Sequence, residues 1–162
     1  MNDVHTPRPK LVLIVEDYED DAALLQLLLT QCGISNPLRI ALSAEEAINY
    51  LAGGPPYGNR MVFPLPTMVF VDLKLPGING FDLLQWMKGQ PDLRNIFVVV
   101  LSATGDLSSV QAAYSLGANS FLIKPCHRAD LENLIICYPE FWERAIPPLL
   151  PQPPHLEPPA AG

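Results

Sequence analysis

The chain has 162 residues, of which 49% are hydrophobic, and its 17 acidic and ten basic side chains give a formal net charge of −7. This length predicts one domain, and the hydrophobic fraction is sufficient for a core. The shortage of Lys and Arg argues against a nucleic-acid-binding surface, which needs clustered basic residues. No apolar run approaches the roughly 18 residues of a membrane span, so neither nucleic acid nor a membrane is expected as a partner.

The N-terminus and the cysteines indicate the compartment. Residues 1–9 form a polar arm, and MNDVHTPRPK lacks the apolar core of a signal peptide. Cys32, Cys126 and Cys137 are odd in number and lack the C-x-x-C spacing of a zinc or redox site. Reduced thiols in a cytoplasmic protein are therefore expected.

Short apolar runs alternate with segments of helical periodicity. The runs predict strands over Leu11–Val15, Leu38–Leu42, Thr67–Val71, Ile96–Leu101 and Asn119–Ile123. The periodic segments predict helices over Glu19–Cys32, from Ser43 to Leu51, and over Gly80–Lys88, Leu107–Leu116 and His127–Ile136. Strand and helix thus alternate five times. This alternation predicts an α/β domain with a doubly wound parallel sheet, helices on both faces and right-handed crossovers.

Two segments fall outside this alternation. Residues 53–66 are rich in Gly and Pro and predict a surface loop, held on the domain by Tyr57, Met61 and Phe63. Residues 146–162 form a Pro-rich tail that is expected to be disordered or extended. The folded domain is thus expected over residues 10–145.

Polar side chains stand where four of the predicted strands end. Glu16 and Asp17 follow the first strand, Asp72 the third, Ser102 the fourth and Lys124 the fifth. In a parallel sheet these ends share one edge, and ligands bind at that edge. Each residue alone has an ordinary explanation as a solvated acid, a helix cap or a surface cation, but the five together predict a functional site.

The residue types at this edge indicate a reaction. Three carboxylates repel one another and require a cation, and oxygen ligands suit Mg²⁺. A phosphate group would be repelled by these carboxylates unless the metal screened them. The expected event is therefore phosphoryl transfer onto Asp72 as nucleophile. Lys124 would neutralise the phosphoryl oxygens and Ser102 would donate a hydrogen bond to one of them.

Four segments resemble, in order, the signature segments of bacterial response-regulator receiver domains: VLIVED, VDLKLPGINGFDLL, VVVLSA and LGANSFLIKP. The resemblance runs from Lys10 to Ala145. It implies a flavodoxin-like sheet of five strands in the order 2-1-3-4-5. It also implies that Asp72 accepts a phosphoryl group from the phosphohistidine of a histidine kinase, so that the chain is a phosphoacceptor in signalling and not an enzyme with an external substrate.

The resemblance assigns a role to each residue of the metal site. Asp17, Asp72 and the backbone carbonyl of Lys74 would bind Mg²⁺. Glu16 would act largely through water. These assignments come from the family pattern that the segments resemble.

The resemblance also assigns the phosphoryl contacts and a switch. Lys124 and Ser102 would contact the phosphoryl group. Phe121 matches the switch aromatic of the family, which turns inward when the Ser moves. The Lys124–Pro125 peptide bond is implied to be cis.

The loop over 53–66, the run DLKLPGINGFDLLQW and the C-terminal Phe-Trp pair look like features of stand-alone regulators that are paired with bacterial phytochromes. The implied partners are a sensor histidine kinase, with a phytochrome as the candidate, and a downstream protein target or phosphotransfer protein.

The last predicted helix carries more large apolar residues than its inward stripe of Leu131, Leu134 and Ile135 needs. The remaining ones are predicted to be exposed, with Pro139 directing part of the set away from the core: Ile136, Tyr138, Phe141 and Trp142. Exposed aromatic groups commonly mark interfaces. A homodimer through the face of helix 4, strand 5 and helix 5 is therefore predicted.

One alternative stays open, which is a receiver-fold adaptor that never turns over phosphate. Two other phosphate-binding classes fit poorly. A haloacid-dehalogenase-type phosphatase would need a second acid two residues after Asp72, where Lys74 stands, and no Walker P-loop is present. Phosphorylation by a small donor distinguishes the adaptor from the phosphoacceptor.

Overall fold

The computed structural model describes residues 8–144. Five strands form one parallel sheet in the order β2-β1-β3-β4-β5, which confirms the flavodoxin-like prediction. The strands are β1 Val12–Val15, β2 Leu38–Ala41, β3 Met68–Asp72, β4 Phe97–Ser102 and β5 Ser120–Ile123. The helices are α1 Glu19–Gln31, α2 Ala44–Ala52, α3 Gly80–Gly89, α4 Leu107–Ser115 and α5 Arg128–Cys137, followed by a 3₁₀ turn over Pro139–Phe141. Residues 1–7 of the predicted arm, and Ala145 with the Pro-rich tail, lie outside the described residues.

The three inner strands are buried along their whole length. Their side chains alternate between two apolar clusters, one on each face of the sheet. Leu13 and Val69 belong to the cluster under α2 and α3, whereas Ile14 and Phe70 belong to the cluster under α1 and α5. Because both faces are covered, these strands appear in the sequence as continuous apolar runs. The edge strand β2 is mostly half-buried.

The loop over residues 53–66 is fixed to the C-terminal end of α2. Tyr57 lies edge-on to both Tyr50 and Phe63, with ring centroids 5.1 and 5.2 Å apart. The guanidinium of Arg60 donates to the carbonyl of Tyr50 at 2.9 Å and satisfies one of the free carbonyls at the helix end. The predicted anchoring by Tyr57 and Phe63 is confirmed. Met61 is 93% exposed, so its predicted role as an anchor is wrong.

The C-terminal aromatic residues return to the core, which corrects the prediction that they are exposed. Pro139 begins the 3₁₀ turn, and this turn folds the chain back over the sheet. Tyr138 and Phe141 pack on Phe97 with ring centroids 4.5 and 4.9 Å away, and Trp142 is 6% exposed. Burial of these rings removes apolar area from water, and this is the favourable alternative to exposure.

A buried amide holds this returning segment in place. The Asn36 side chain donates to the carbonyls of Lys10 and Phe141, at 2.8 and 2.9 Å, and accepts from the backbone N–H of Glu143 at 2.6 Å. Of the predicted exposed set, Ile136 alone is largely exposed, at 72%.

The thiols of Cys32, Cys126 and Cys137 are free. The Lys124–Pro125 peptide bond is cis, as the resemblance implied. Among residues 8–144, no helix combines the length and the apolar character that crossing a bilayer requires.

Candidate functional site

Three carboxylates meet at the carboxyl edge of the sheet. Glu16 and Asp17 follow β1, and Asp72 is the last residue of β3. The two strands pair in parallel with Val15 opposite Val71, so the residues after them lie side by side. One oxygen from each carboxylate lies within 4.8 Å of the others. This spacing brings together the acids that the sequence places at two separate strand ends.

Two of these acids are buried. Glu16 is 1% exposed and Asp72 is 6% exposed, whereas Asp17 faces solvent. The buried polar side chains in the described part of the chain are Glu16, Asn36, Asp72 and Ser102, and three of these four belong to this edge. Burial of a carboxylate is costly unless a cation or several hydrogen bonds compensate it, so the site requires positive charge.

Lys124 supplies positive charge to the carboxylates. Its backbone N–H donates to the carbonyl of Ser102 at 2.7 Å, which holds the residue at the end of β5 beside β4. Its ammonium donates to Asp72 at 2.8 Å, to Asp21 at 2.9 Å and to Glu16. An ammonium group has three N–H donors, and here each has a carboxylate acceptor.

The electrostatic environment shifts two pKa values. The pKa of Glu16 is raised to about 7, because burial and the charge of Asp72 together outweigh the hydrogen bond from Lys124, which lowers it. Burial works to lower the pKa of Lys124, but hydrogen bonds to Asp72, Glu16 and Asp21 outweigh it and the pKa is raised. Lys124 is therefore a permanent cation, while the charge of Glu16 responds to the cations around it.

Asp72 is held through both of its oxygens. Oδ1 accepts from the backbone N–H of Lys74 at 3.0 Å, and Oδ2 accepts from Lys124. The start of α3 lies directly against its main chain, because a Cβ placed on Gly80 would lie 2.3 Å from the Asp72 carbonyl oxygen. A glycine at the first position of α3 is thus what lets the helix approach this strand end.

Ser102 is linked to the start of α4 by a series of hydrogen bonds. Its Oγ accepts from the backbone N–H of Thr104 at 3.2 Å, and the Thr104 hydroxyl donates to Asp106. Asp106 caps α4 by accepting from the Ser109 N–H at 3.0 Å. The hydroxyls of Thr104 and Ser108 hold the pKa of Asp106 well below its usual range. Asp106 therefore stays ionised as a cap, and the loop joins Ser102 to α4.

An open cleft lies beside Asp17, between the loop after β3 and the loop after β4. Its lining includes Asp17, Lys74, Phe81, Ser102 and Thr104. The cleft gives an incoming group access to the edge of the sheet.

Phe121 lies in β5 opposite Val100 of β4. It is half-buried and packs against the apolar cluster under α2 and α3. Its assignment as a switch residue stays a prediction.

Sequence reasoning missed one member of the site, Asp21. An acidic residue in the first turn of α1 is already accounted for by the preference of helix N-termini for negative charge. The available signal was its spacing, because Asp21 lies four residues, about one helical turn, after Asp17.

The family model for the response regulator receiver domain matches residues 12–136. The chain belongs to the response regulator receiver domain family. The match includes every residue of the site described above, from Glu16 to Lys124.

This chain aligns with Rcp1 and AtBRR over almost the whole length of each of those proteins. Response regulator Rcp1 of Synechocystis sp. is 34% identical over 142 residues, covering 88% of this chain and 94% of Rcp1. The crystal structure of the Mn²⁺-bound form of Rcp1 aligns with a TM-score of 0.68 at 32% identity, covering 82% of this chain and 94% of that one. The bacteriophytochrome response regulator AtBRR aligns with a TM-score of 0.72 at 34% identity, covering 85% of this chain and 97% of that one.

A third similar structure is the phosphorylated cyanobacterial phytochrome response regulator RcpA. It aligns with a TM-score of 0.69 at 28% identity, covering 83% of this chain and 94% of that one. Together with the family match, these similarities show a response regulator of a two-component system, which is a signalling protein with phytochrome-associated relatives.

Proposed function

We propose that this response regulator accepts a phosphoryl group on Asp72 from the phosphohistidine of a histidine kinase. The observation that carries the proposal is the environment of Asp72. This buried carboxylate accepts a hydrogen bond from the ammonium of Lys124 and lies beside two further acids. A carboxylate oxygen of Asp72 attacks phosphorus and the P–N bond to the imidazole breaks. The ring nitrogen keeps that electron pair, and the kinase histidine leaves neutral.

The donor set fits Mg²⁺. Glu16, Asp17 and Asp72 offer only carboxylate oxygens within reach of one ion, and Mg²⁺ prefers oxygen ligands and retains waters. The Lys74 carbonyl would add a neutral oxygen ligand, and Glu16 would act largely through water. When bound, the ion supplies positive charge that offsets the repulsion between these acids and a phosphoryl group. The existence of a Mn²⁺-bound form of Rcp1 supports the binding of a divalent cation by this chain.

The remaining residues act on the transferred group directly. Lys124 lies 2.8 Å from an oxygen of Asp72 and neutralises charge on the phosphoryl oxygens. The Ser102 hydroxyl accepts from Thr104, which leaves its own proton for donation to a phosphoryl oxygen. Movement of Ser102 toward that oxygen makes room for Phe121 to turn inward.

Phosphoramidate tests this function without a kinase. With Mg²⁺, intact-mass spectrometry is expected to show one phosphoryl group per chain, and excess chelator is expected to prevent uptake because the acids then repel the donor. Equal uptake in chelator would contradict the metal requirement. No uptake under any condition would favour the alternative, a phosphorylation-independent adaptor.

We propose a phytochrome histidine kinase as the donor, a downstream protein or phosphotransfer protein as the target, and the cytoplasm as the location. The support for the donor is the similarity to RcpA and AtBRR, whose names associate them with phytochromes. Transfer rates from a panel of purified histidine kinases test the assignment. Faster transfer from a kinase without a phytochrome module would overturn it.

We also propose a homodimer through the face of α4, β5 and α5. Each of these elements has an exposed apolar side chain, namely Tyr114 at 48%, Ile123 at 53% and Ile136 at 72% exposure. Exposed apolar groups on neighbouring elements commonly mark interfaces, and a two-fold dimer is the commonest closed assembly.

Replacement of Ile136 with Glu is expected to abolish dimerisation, because it places a charge in the apolar contact. Sedimentation velocity over a concentration series, with and without phosphorylation, measures the effect. Val62→Glu is the matched control, since Val62 is 61% exposed in the loop over 53–66 and far from this face in sequence. The proposed dimer would be contradicted if the wild-type chain stays monomeric throughout, or if both variants lose dimerisation equally.

A further inference from the structure

The ammonium of Lys124 has no donor left for a new acceptor. Its three carboxylate partners are Glu16, Asp21 and Asp72, and an ammonium has only three N–H donors. A phosphoryl group on Asp72 brings new anionic oxygens to the same ammonium. One of the present ion pairs must therefore give way when that group arrives.

The three pairs differ in what their loss would cost. The Glu16 side chain is 2% exposed, so bulk water solvates it poorly if the ammonium leaves. Asp72 carries the phosphoryl group itself, so its contact with Lys124 is extended to the new oxygens. The Asp21 side chain is 40% exposed, so water solvates it when the cation leaves. Loss of the ion pair between Asp21 and Lys124 is thus the least costly of the three losses.

The position of Asp21 in the fold favours the same exchange. It lies in the first turn of α1, where the free N–H groups and the helix dipole stabilise a carboxylate without a cation. It reaches Lys124 from the side of a small crevice whose lining includes Leu25, Leu101 and Cys126. Asp21 therefore contacts Lys124 from outside the group of three acids.

We propose that Asp21 is a positioning residue that holds Lys124 in the resting state, and that Lys124 exchanges the Asp21 carboxylate for a phosphoryl oxygen. The inference rests on the proposed phosphorylation of Asp72. In the resting protein Asp21 competes with the phosphoryl group for one N–H donor. Loss of Asp21 leaves that donor free in advance.

Beryllium fluoride, an analogue of a phosphoryl group on a carboxylate, tests the competition at saturating Mg²⁺ and physiological ionic strength. Asp21→Asn is expected to bind it about two- to fivefold more tightly than wild type, the size of one partly exposed ion pair. The matched control is Asp20→Asn, which removes the same charge from an exposed neighbour that makes no ion pair with Lys124. Salt screening is expected to keep its affinity within about 1.5-fold of wild type.

A second readout follows Lys124 itself. In ¹⁵N-lysine-labelled protein the Lys124 ammonium signal, assigned through Lys124→Arg, is expected to exchange faster with water in Asp21→Asn than in wild type. With beryllium fluoride bound, the two proteins are expected to share one Lys124 signal, because Asp21 is no longer a partner. This readout does not depend on the stability of either variant.

The outcomes separate the inference from the function on which it rests. Equal tightening by Asp20→Asn and Asp21→Asn would attribute the effect to net charge and overturn the exchange. Lys124 signals that still differ in the bound state would show that Asp21 remains a partner, and would also overturn it. Wild-type protein that fails to bind beryllium fluoride with Mg²⁺ would contradict the proposed function itself, before any variant is compared.

Discussion

No phosphoryl group is expected on the Asp72→Asn variant after incubation with phosphoramidate and Mg²⁺. Asparagine has the shape of aspartate and keeps an oxygen that accepts the N–H of Lys74, so the loop after β3 retains its hydrogen bond. An amide oxygen is a poor nucleophile, and the substitution removes one of the acids proposed to bind the cation. Uptake is measured by intact-mass spectrometry, beside the wild-type chain.

The control for this variant is Asp92→Asn, a substitution of the same type at an exposed residue between α3 and β4. It is expected to take up phosphate like the wild type. If Asp72→Asn takes up a phosphoryl group to the same extent as the wild type, another residue is the acceptor and the proposed role of Asp72 is contradicted. The circular-dichroism spectrum of Asp72→Asn is expected to match that of the wild type, which separates lost chemistry from lost structure.

Replacement of Trp142 with Ala is expected to lower the free energy of unfolding by about 3 kcal/mol, the lower end of the range for a buried aromatic residue. Trp142 is 6% exposed, and its ring lies 6.5 Å from that of Phe70. Its buried indole N–H has no hydrogen-bond partner among the described residues, and the desolvation of this group offsets part of the gain from burial. Urea denaturation measures the loss.

Ile136→Ala provides the comparison, since Ile136 is 72% exposed and its loss is expected to change the free energy of unfolding by less than about 0.5 kcal/mol. Equal destabilisation by the two substitutions would contradict the packing of the C-terminal segment. The pair thus separates core residues from residues of the proposed dimer face.

The order and type of the elements followed from the sequence, because β1, β3 and β4 are buried on both faces and so are continuously apolar. The convergence of Glu16, Asp17 and Asp72 followed from the rule that parallel strands end at one edge. Neither inference needs knowledge of a distant side chain. Local pattern and sheet geometry are sufficient for both.

The course of the C-terminal segment could not be predicted in this way. Its anchor is Asn36, which lies 105 residues before Phe141, and nothing in a Pro-Glu-Phe-Trp stretch indicates that partner. Asp21 was missed for a different reason. An acidic residue in the first turn of a helix already has a sufficient explanation, so its contact with Lys124 appears only when α1 and β5 are placed together.

The most direct test of the central claim is to locate the phosphoryl group within the chain. Borohydride reduces an acyl phosphate to an alcohol, so a phosphorylated aspartate is converted to homoserine and marked for peptide mass spectrometry. After incubation with phosphoramidate and Mg²⁺, homoserine is expected at position 72 in the wild-type protein. A mark at Glu16 or Asp17, or phosphate retained on a histidine with no mark at 72, would contradict it.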